Sequence, residues 1–383
     1  MLYVFIDAQG KPHKQFQHFS LVCRAWTPYA QRLLFRNIRL HDPMKVYGFL
    51  RATLPSSEKD SSTERLGNAV RSLEMTVLSK EMQSLFPYVL RHCPKLHELN
   101  ILLYSDIGVM TLLQPPKPST KDMQEFESVS YASIQLPQIQ AIRIDVKLDN
   151  SVFLSQLFRI WPSIRHLILQ GSAFIAVAQS LQNTESTHLV ELNLGKGNTR
   201  MLAPVFSTLL MKLLNSSLEP IRILDLRGMF RPTVEGIEQA ITKFGRQLRS
   251  LRLPVFDPNA DFRVLQNCTS MEELIIDGYP RENVREYMPL GNIKHFQFLS
   301  TSPSIANMAN LIKWVGQMPL LAVLTWVTRG DIHKIDVFLN RLRTFCAGRS
   351  IQFRHITSAE DLQEELIEPP SFPREQLMTP VWR

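Results

Sequence analysis

The stretch PKLHELNI at residues 94–101 is answered by PQIQAIRI at 137–144, PSIRHLIL at 162–169, THLVELNL at 187–194, EPIRILDL at 219–226, RQLRSLRL at 246–253, TSMEELII at 269–276 and GNIKHFQF at 291–298. All share one spacing: an apolar residue, two variable, an apolar, one variable, an apolar. The same spacing opens with AVRSLEM at 69–75 and closes, more loosely, with LLAVLTW at 320–326. The first apolar residues are Val70, Leu96, Ile139, Ile164, Leu189, Ile221, Leu248, Met271, Ile293 and Leu321, separated by 26, 43, 25, 25, 32, 27, 23, 22 and 28 residues. Side chains alternate along a strand, so the residues four and six places into each unit fall on one face. A single unit cannot bury that face. Stacked neighbours can, by pairing their strands in parallel and covering the apolar side with the helices that return the chain.

Between these units, VFLSQLFRIW, FIAVAQSLQ, APVFSTLLMKLL, VEGIEQAITKF, IANMANLIKWV and IDVFLNRLRTF carry apolar residues three and four apart and read as helices. Breakers such as Pro162, Gly245 and Pro319 then release the chain into the next strand. A period of roughly 20 to 29 residues with an LxxLxL centre is the leucine-rich-repeat signature. The expected fold class is therefore α/β, a leucine-rich-repeat solenoid with a parallel strand ladder and helical returns, preceded by a short helical module. The expected divisions are that module at 1–42, a linker at 43–67, the repeat domain at 68–357, and an acidic cap with a flexible tail at 358–383. Within the repeats, a polar insertion at about 104–135 contains QPPKPSTKDMQEFESVSYAS. It reads as a surface insertion, with a degenerate extra repeat as the alternative, because Pro115, Pro116 and Pro118 stop a regular element.

Composition narrows the class further. With 44% hydrophobic and 20% charged residues in 383, the chain can build one or two packed domains. Its four cysteines, at 23, 93, 268 and 346, form no CxxC pair and no disulfide framework, which points to a reducing compartment. No apolar run approaches the roughly 18 residues of a spanning helix, and Asp7 comes too soon for a signal peptide, so a cytoplasmic or nuclear protein without a membrane partner is expected. HExxH, GxxxxGK followed by Ser or Thr, and GxSxG are not found, and the ten histidines show no i, i+4 pairing. GKGNT at 195–199 follows a strand, but Arg200 replaces the third glycine of a dinucleotide fingerprint. The expectation is a protein with no catalytic residues, no metal and no cofactor.

Residues 16–42, FQHFSLVCRAWTPYAQRLLFRNIRLHD, differ from the repeats. Val22, Trp26, Tyr29 and Leu33 make one helical stripe that Leu21, Ala25 and Leu34 widen. SLVCRAW at 20–26, AQRLLF at 30–35 and IRL at 38–40 resemble the second half of an F-box, here followed by leucine-rich repeats as in F-box proteins of that class. The resemblance covers roughly residues 16–357; the family's first-helix motif, LPxELLxxIFxxL, is not matched by the opening MLYVFIDAQGKPHKQ, so the F-box is expected to be partial. What the resemblance implies is a substrate receptor of an SCF-type ubiquitin ligase without catalytic residues of its own. Leu21, Val22, Cys23, Trp26, Leu33 and Leu34 would then form the module that grips the Skp-type adaptor. A stand-alone repeat scaffold, binding a partner protein without a ligase, is the alternative.

The residues three and five places into each unit point away from the apolar side, onto the concave face where solenoids bind. The candidate substrate face is Glu98, Asn100, Arg143, His166, Ile168, Glu191, Asn193, Ile223, Asp225, Arg252, Glu273 and Ile275. Across the ten units these two rows hold five acidic residues against two basic ones, which argues against nucleic acid and for an unknown protein substrate. Ile168, Ile223, Ile275 and Val323 on these rows read as an exposed apolar patch, unless a flanking loop buries them. The chain's +8 charge instead collects one place before the strands, at Arg71, Arg165, Arg222, Arg249 and Lys294, with Glu272 the acidic exception. Those residues either solvate the turns or form a rim for an acidic partner.

Overall fold

A computed structural model describes residues 32–53, 66–104, 136–146, 154–171, 186–194, 203–227, 234–254, 263–278, 280, 282–300, 305–328 and 335–357. The segment resembling an F-box up to residue 31, the helix expected from FIAVAQSLQ, the GKGNT turn, nearly all of the polar insertion and the tail from 358 lie outside them. The chain divides into two compact units, Met1–Glu185 and Ser186–Arg383.

The first unit runs β1 (Asn37–Leu40), α1 (Pro43–Thr53), a 3-10 turn at Leu66–Ala69, β2 (Ser72–Val77), α2 (Lys80–His92), β3 (Glu98–Leu103), β4 (Ala141–Val146), α3 (Leu154–Ile160) and β5 (His166–Gly171). All strand pairs are parallel and follow chain order. The apolar rows line up rung by rung: Ile38, Leu73, Leu99, Ile142 and Leu167 in one, and Leu40, Met75, Ile101, Ile144 and Leu169 in the other. From Leu73 onward these side chains are buried, each contributing about 1.5–3 kcal/mol by leaving water.

Two boundaries differ from the expected ones. The ladder begins at β1 and α1 follows it at once, so 43–53, expected as linker, is a helix burying Val46, Phe49 and Leu50, while 54–65 lie outside the described residues. Strand β3 pairs directly with β4, so the long interval between them adds no rung there, which favours an insertion over an extra repeat.

Helix α2 was not legible in the sequence because Pro87 lies inside it. Its start is set by Ser79, in extended conformation, whose hydroxyl accepts from the Met82 amide at 3.3 Å; Glu81 in the first turn and Arg91 and His92 in the last match the helix dipole. Replacing Ser79 by Ala is expected to cost about 1 kcal/mol in urea denaturation. Full wild-type stability in that variant would rule the cap out.

The second unit runs β6 (Glu191–Leu194), α4 (Ala203–Ser216), β7 (Ile223–Asp225), α5 (Val234–Phe244), a 3-10 turn at Gly245–Gln247, β8 (Ser250–Leu253), a 3-10 turn at Arg263–Asn267, β9 (Glu273–Ile276), α6 (Glu282–Tyr287), β10 (His295–Leu299), α7 (Ile305–Val315), β11 (Val323–Val327), α8 (Ile335–Ala347) and β12 (Gln352–Ile356). Its strands too are parallel and in chain order. Leu192, Leu224, Leu251, Leu274, Phe296, Leu324 and Phe353 form one apolar row by register. In the next row aromatic rings replace leucines: Phe298 stacks on Trp326 at 5.9 Å between centroids, and Trp314 from α7 meets Phe296 edge-on at 5.2 Å. Among the described residues, the return between β8 and β9 carries the 3-10 turn at Arg263–Asn267, and the one between β9 and β10 the short helix α6.

The repeat also has a backbone signature. The amide of Val70 donates to Gly67, Leu96 to Cys93, Ile164 to Trp161, Leu248 to Gly245 and Met271 to Cys268, all i to i−3. Each of these five marker residues is thus the last of a four-residue turn. Pro94 and Pro162 occupy the second place of two such turns, where a fixed φ suits a type I turn. One residue later a carbonyl accepts two amides from the following rung: Arg71 receives His97 and Glu98, Gln140 receives Arg165 and His166, Arg249 receives Glu272 and Glu273.

Candidate functional site

The expected outer rows occur in register. Ser72, Glu98, Ala141 and His166 form one column in the first unit, and Glu74, Asn100, Arg143 and Ile168 the next. In the second unit the columns are Glu191, Ile223, Ser250, Glu273, His295, Val323 and Asn193, Asp225, Arg252, Ile275, Gln297, Thr325. The two units differ in what these rows meet. Ser72, Glu74, Glu98, Asn100 and Arg143 are partly accessible, whereas Ala141, His166, Ile168 and all twelve second-unit residues are buried. The Ile168, Ile223, Ile275 and Val323 series is therefore not an exposed patch: alternation assigns a side chain to a face but does not decide whether that face is wet.

On the first unit's accessible rows, Glu74 accepts from Asn100 Nδ2 at 3.1 Å and lies 3.5 Å from His41 Nε2 and 3.8 Å from Arg39 Nε. His41 Nδ1 and Thr76 Oγ1 are 2.8 Å apart, which holds the imidazole over β2. Asn100 Oδ1 and Arg143 Nε are buried atoms without a hydrogen-bond partner. Leaving such groups unsatisfied costs about 1–3 kcal/mol each, so a partner that supplies the missing bonds gains from them. Leu78 and Tyr104, just past β2 and β3, are 50% and 43% exposed.

The buried second-unit rows carry a continuous polar chain. Arg227 makes a two-pronged contact to Asp225, Nε to Oδ1 at 3.0 Å and Nη2 to Oδ2 at 2.6 Å. Arg252 bridges Asp225 at 3.4 Å and Glu273 at 3.1 Å. Glu273 also accepts from Ser250 Oγ at 2.6 Å and meets His295 Nδ1 at 2.9 Å, and His295 Nε2 meets Thr325 Oγ1 at 3.2 Å. Hydroxyl, imidazole and carboxylate follow the order of a nucleophile relay. Thr325 is 0% exposed, however, and Glu273 is shared with Arg252 and Ser250. The arrangement ties β7 to β11 together; it does not present a nucleophile.

This chain was the largest feature missed by sequence reasoning. Its signal was present, since Asp225 and Arg252 stand 27 residues apart on adjacent rungs with opposite charge, and the hydrogen-bonding partners Ser250, Glu273 and His295 follow on successive rungs 23 and 22 residues apart. Of the six residues expected to grip an adaptor, Leu33 and Leu34 are described and half-buried, while Leu21, Val22, Cys23 and Trp26 lie outside the described residues. The buried thiols show no activation: burial pushes Cys93 far up, Cys268 up to about 12, and Cys346 up to about 11 against the opposing charge of Arg349. Among the described residues no group of His, Cys, Asp and Glu is placed to hold a metal ion, and no helix is long and apolar enough to cross a membrane.

These observations define an α/β repeat solenoid fold with a parallel strand ladder and helical returns. No family profile matches the chain, and no curated protein matches it. Among solved structures, a protein of Bacteroides fragilis determined as a structural genomics target is similar at 14% identity and a TM-score of 0.35, over 71% of this chain and 68% of that one.

Proposed function

We propose that the chain is a substrate-recognition subunit of an SCF-type ubiquitin ligase, its F-box-like segment holding a Skp-type adaptor and its repeats a protein substrate. One observation carries the reading: IRL at 38–40, the end of the F-box-like segment, lies in β1, the first rung of the ladder, paired through Ile38 to Leu73 and Leu40 to Met75. Through that pairing the end of the F-box-like segment is part of the repeat ladder itself. The substrate surface is the accessible part of the outer rows, Ser72, Glu74, Glu98, Asn100 and Arg143, where two buried polar atoms await partners. The stand-alone scaffold would use the same surface without an adaptor.

Co-purification of the full chain with a Skp-type adaptor separates the two readings. The expected result is a stoichiometric complex that Leu21→Asp with Val22→Asp abolishes while thermal unfolding of the repeats is unchanged. If the wild-type chain does not retain the adaptor, the ligase reading falls and the scaffold stands.

A further inference from the structure

The residue preceding each strand forms a column of its own. In the first unit the amide of Arg71 donates to the carbonyl of Arg36, His97 to Arg71, Gln140 to His97 and Arg165 to Gln140, at 2.9, 3.0, 2.9 and 2.8 Å. Arg36, Arg71, His97, Gln140 and Arg165 therefore stand on successive rungs, in a line about 19 Å long at about 4.8 Å per rung. Arg36, Gln140 and Arg165 are exposed; Arg71 and His97 are half-buried. The column contains cations and no acidic residue. Arg71 Nη1 is held by two neutral acceptors, the carbonyls of Asn68 and Val70 at 2.6 and 3.0 Å, which fix the guanidinium without cancelling its charge. Burial, then the charges of Arg71 and Arg36, lower the pKa of His97, so both guanidinium groups act on one point of the column.

The same column in the second unit shows how a carboxylate sits there. Arg222, Arg249, Glu272 and Lys294 follow one another through the same amide-to-carbonyl bonds. Glu272 Oε1 accepts from Arg249 Nε at 2.7 Å and Oε2 from Lys294 Nζ at 2.6 Å, so one carboxylate ties the cations on both neighbouring rungs. Burial alone would raise the pKa of Glu272; the bonds from Arg249 and Lys294 outweigh it and the pKa falls. The first-unit column carries Arg36, Arg71 and Arg165 and has no acidic residue on any of its five rungs.

We propose that the strand-start column of the first unit is a docking surface for a carboxylate-rich segment of a partner protein, whose Asp and Glu side chains seat between rungs as Glu272 does in the second unit. The linear layout favours spaced carboxylates, because a single phosphoryl group needs donors converging on one point. About six residues of extended chain, at about 3.3 Å each, match the column's length. The inference stands apart from adaptor binding and from the outer rows.

The test is fluorescence anisotropy of a fluorescein-labelled oligoglutamate peptide titrated with the full chain at about 50 mM salt, where exposed charges are weakly screened. Saturable binding is expected, with affinity reduced at least about tenfold in Arg36→Glu and in Gln140→Glu, because each sets a negative charge beside the incoming carboxylates. Gln140 is exposed, so its variant keeps the test valid should Arg36→Glu disturb folding. Lys313→Glu on α7, with the same charge change as Arg36→Glu, should bind as wild type does. The proposal is overturned if saturable binding does not occur, if the three variants bind alike, or if an oligothymidylate outcompetes oligoglutamate in an Arg36-dependent way.

Discussion

Gly67→Ala is expected to destabilise the first unit by at least about 3 kcal/mol, above the usual cost of overpacking, because the new methyl group meets backbone. A Cβ at Gly67 would lie 1.7 Å from the carbonyl oxygen of His92 and 2.9 Å from its carbonyl carbon. His92 is the last residue of α2, so no rotamer change relieves the contact; either the 3-10 turn at Leu66–Ala69 or the end of the helix has to move. The turn delivers Val70, fully buried, and then Arg71, whose amide donates to the Arg36 carbonyl just before β1 and whose carbonyl accepts from His97 and Glu98 at the start of β3. Displacing it strains both strand pairings. Gly48→Ala is the internal control: nothing lies within 4 Å of its Cβ, it is exposed in α1, and the change should stabilise by about 0.5–1 kcal/mol. Urea midpoints that shift in opposite directions for these two variants are the expected result, and equal midpoints would show that the turn does not pack against α2.

The opposite fates of these two glycines show what the sequence could and could not disclose. The ladder was legible because its signal is redundant: Leu73, Leu99, Ile142 and Leu167, or Leu224, Leu251 and Leu274, repeat one chemical type at one spacing, and parallel stacking places equals beside equals. Register of the outer rows followed from the same alternation. The first rung escaped although FRNIRL at 35–40 has the same spacing, with Phe35 in the marker place, because Phe35 and IRL are also the end of the F-box-like segment and were assigned to it. Gly67 escaped because a close approach between two backbones leaves no trace in composition. The wetness of the outer face was equally invisible: Glu273 and Glu74 occupy equivalent faces, yet one is 1% exposed and the other is partly open to solvent. That difference depends on what packs over a row, which a period of two does not encode. Opposite charges on adjacent rungs were the available clue, and the functional reading inherits the correction, since it shrinks the accessible face to the first unit's rows.

The largest electrostatic effect should come from Arg252. At 1% exposure it stands between Asp225 and Glu273, each equally buried, and removing it by Arg252→Ala leaves two carboxylates deprived of a shared counter-charge. The expected loss is about 3–5 kcal/mol, the range for breaking a buried pair from one side. Asp225 keeps the Arg227 guanidinium, while Glu273 keeps the Ser250 hydroxyl and the His295 imidazole beside it. Removing that carboxylate as well should recover much of the loss. In a double-mutant cycle with Arg252→Met and Glu273→Leu, the double variant is expected to be more stable than the sum of the single changes by about 1–3 kcal/mol. Two apolar side chains of similar length then replace an ion pair whose desolvation had offset most of its attraction. Additive single effects would mean that the two residues do not interact, and the polar chain from β7 to β11 would lose its central link; a strongly sub-additive cycle would show that the charges on this row hold neighbouring rungs in place where a partner surface had been expected.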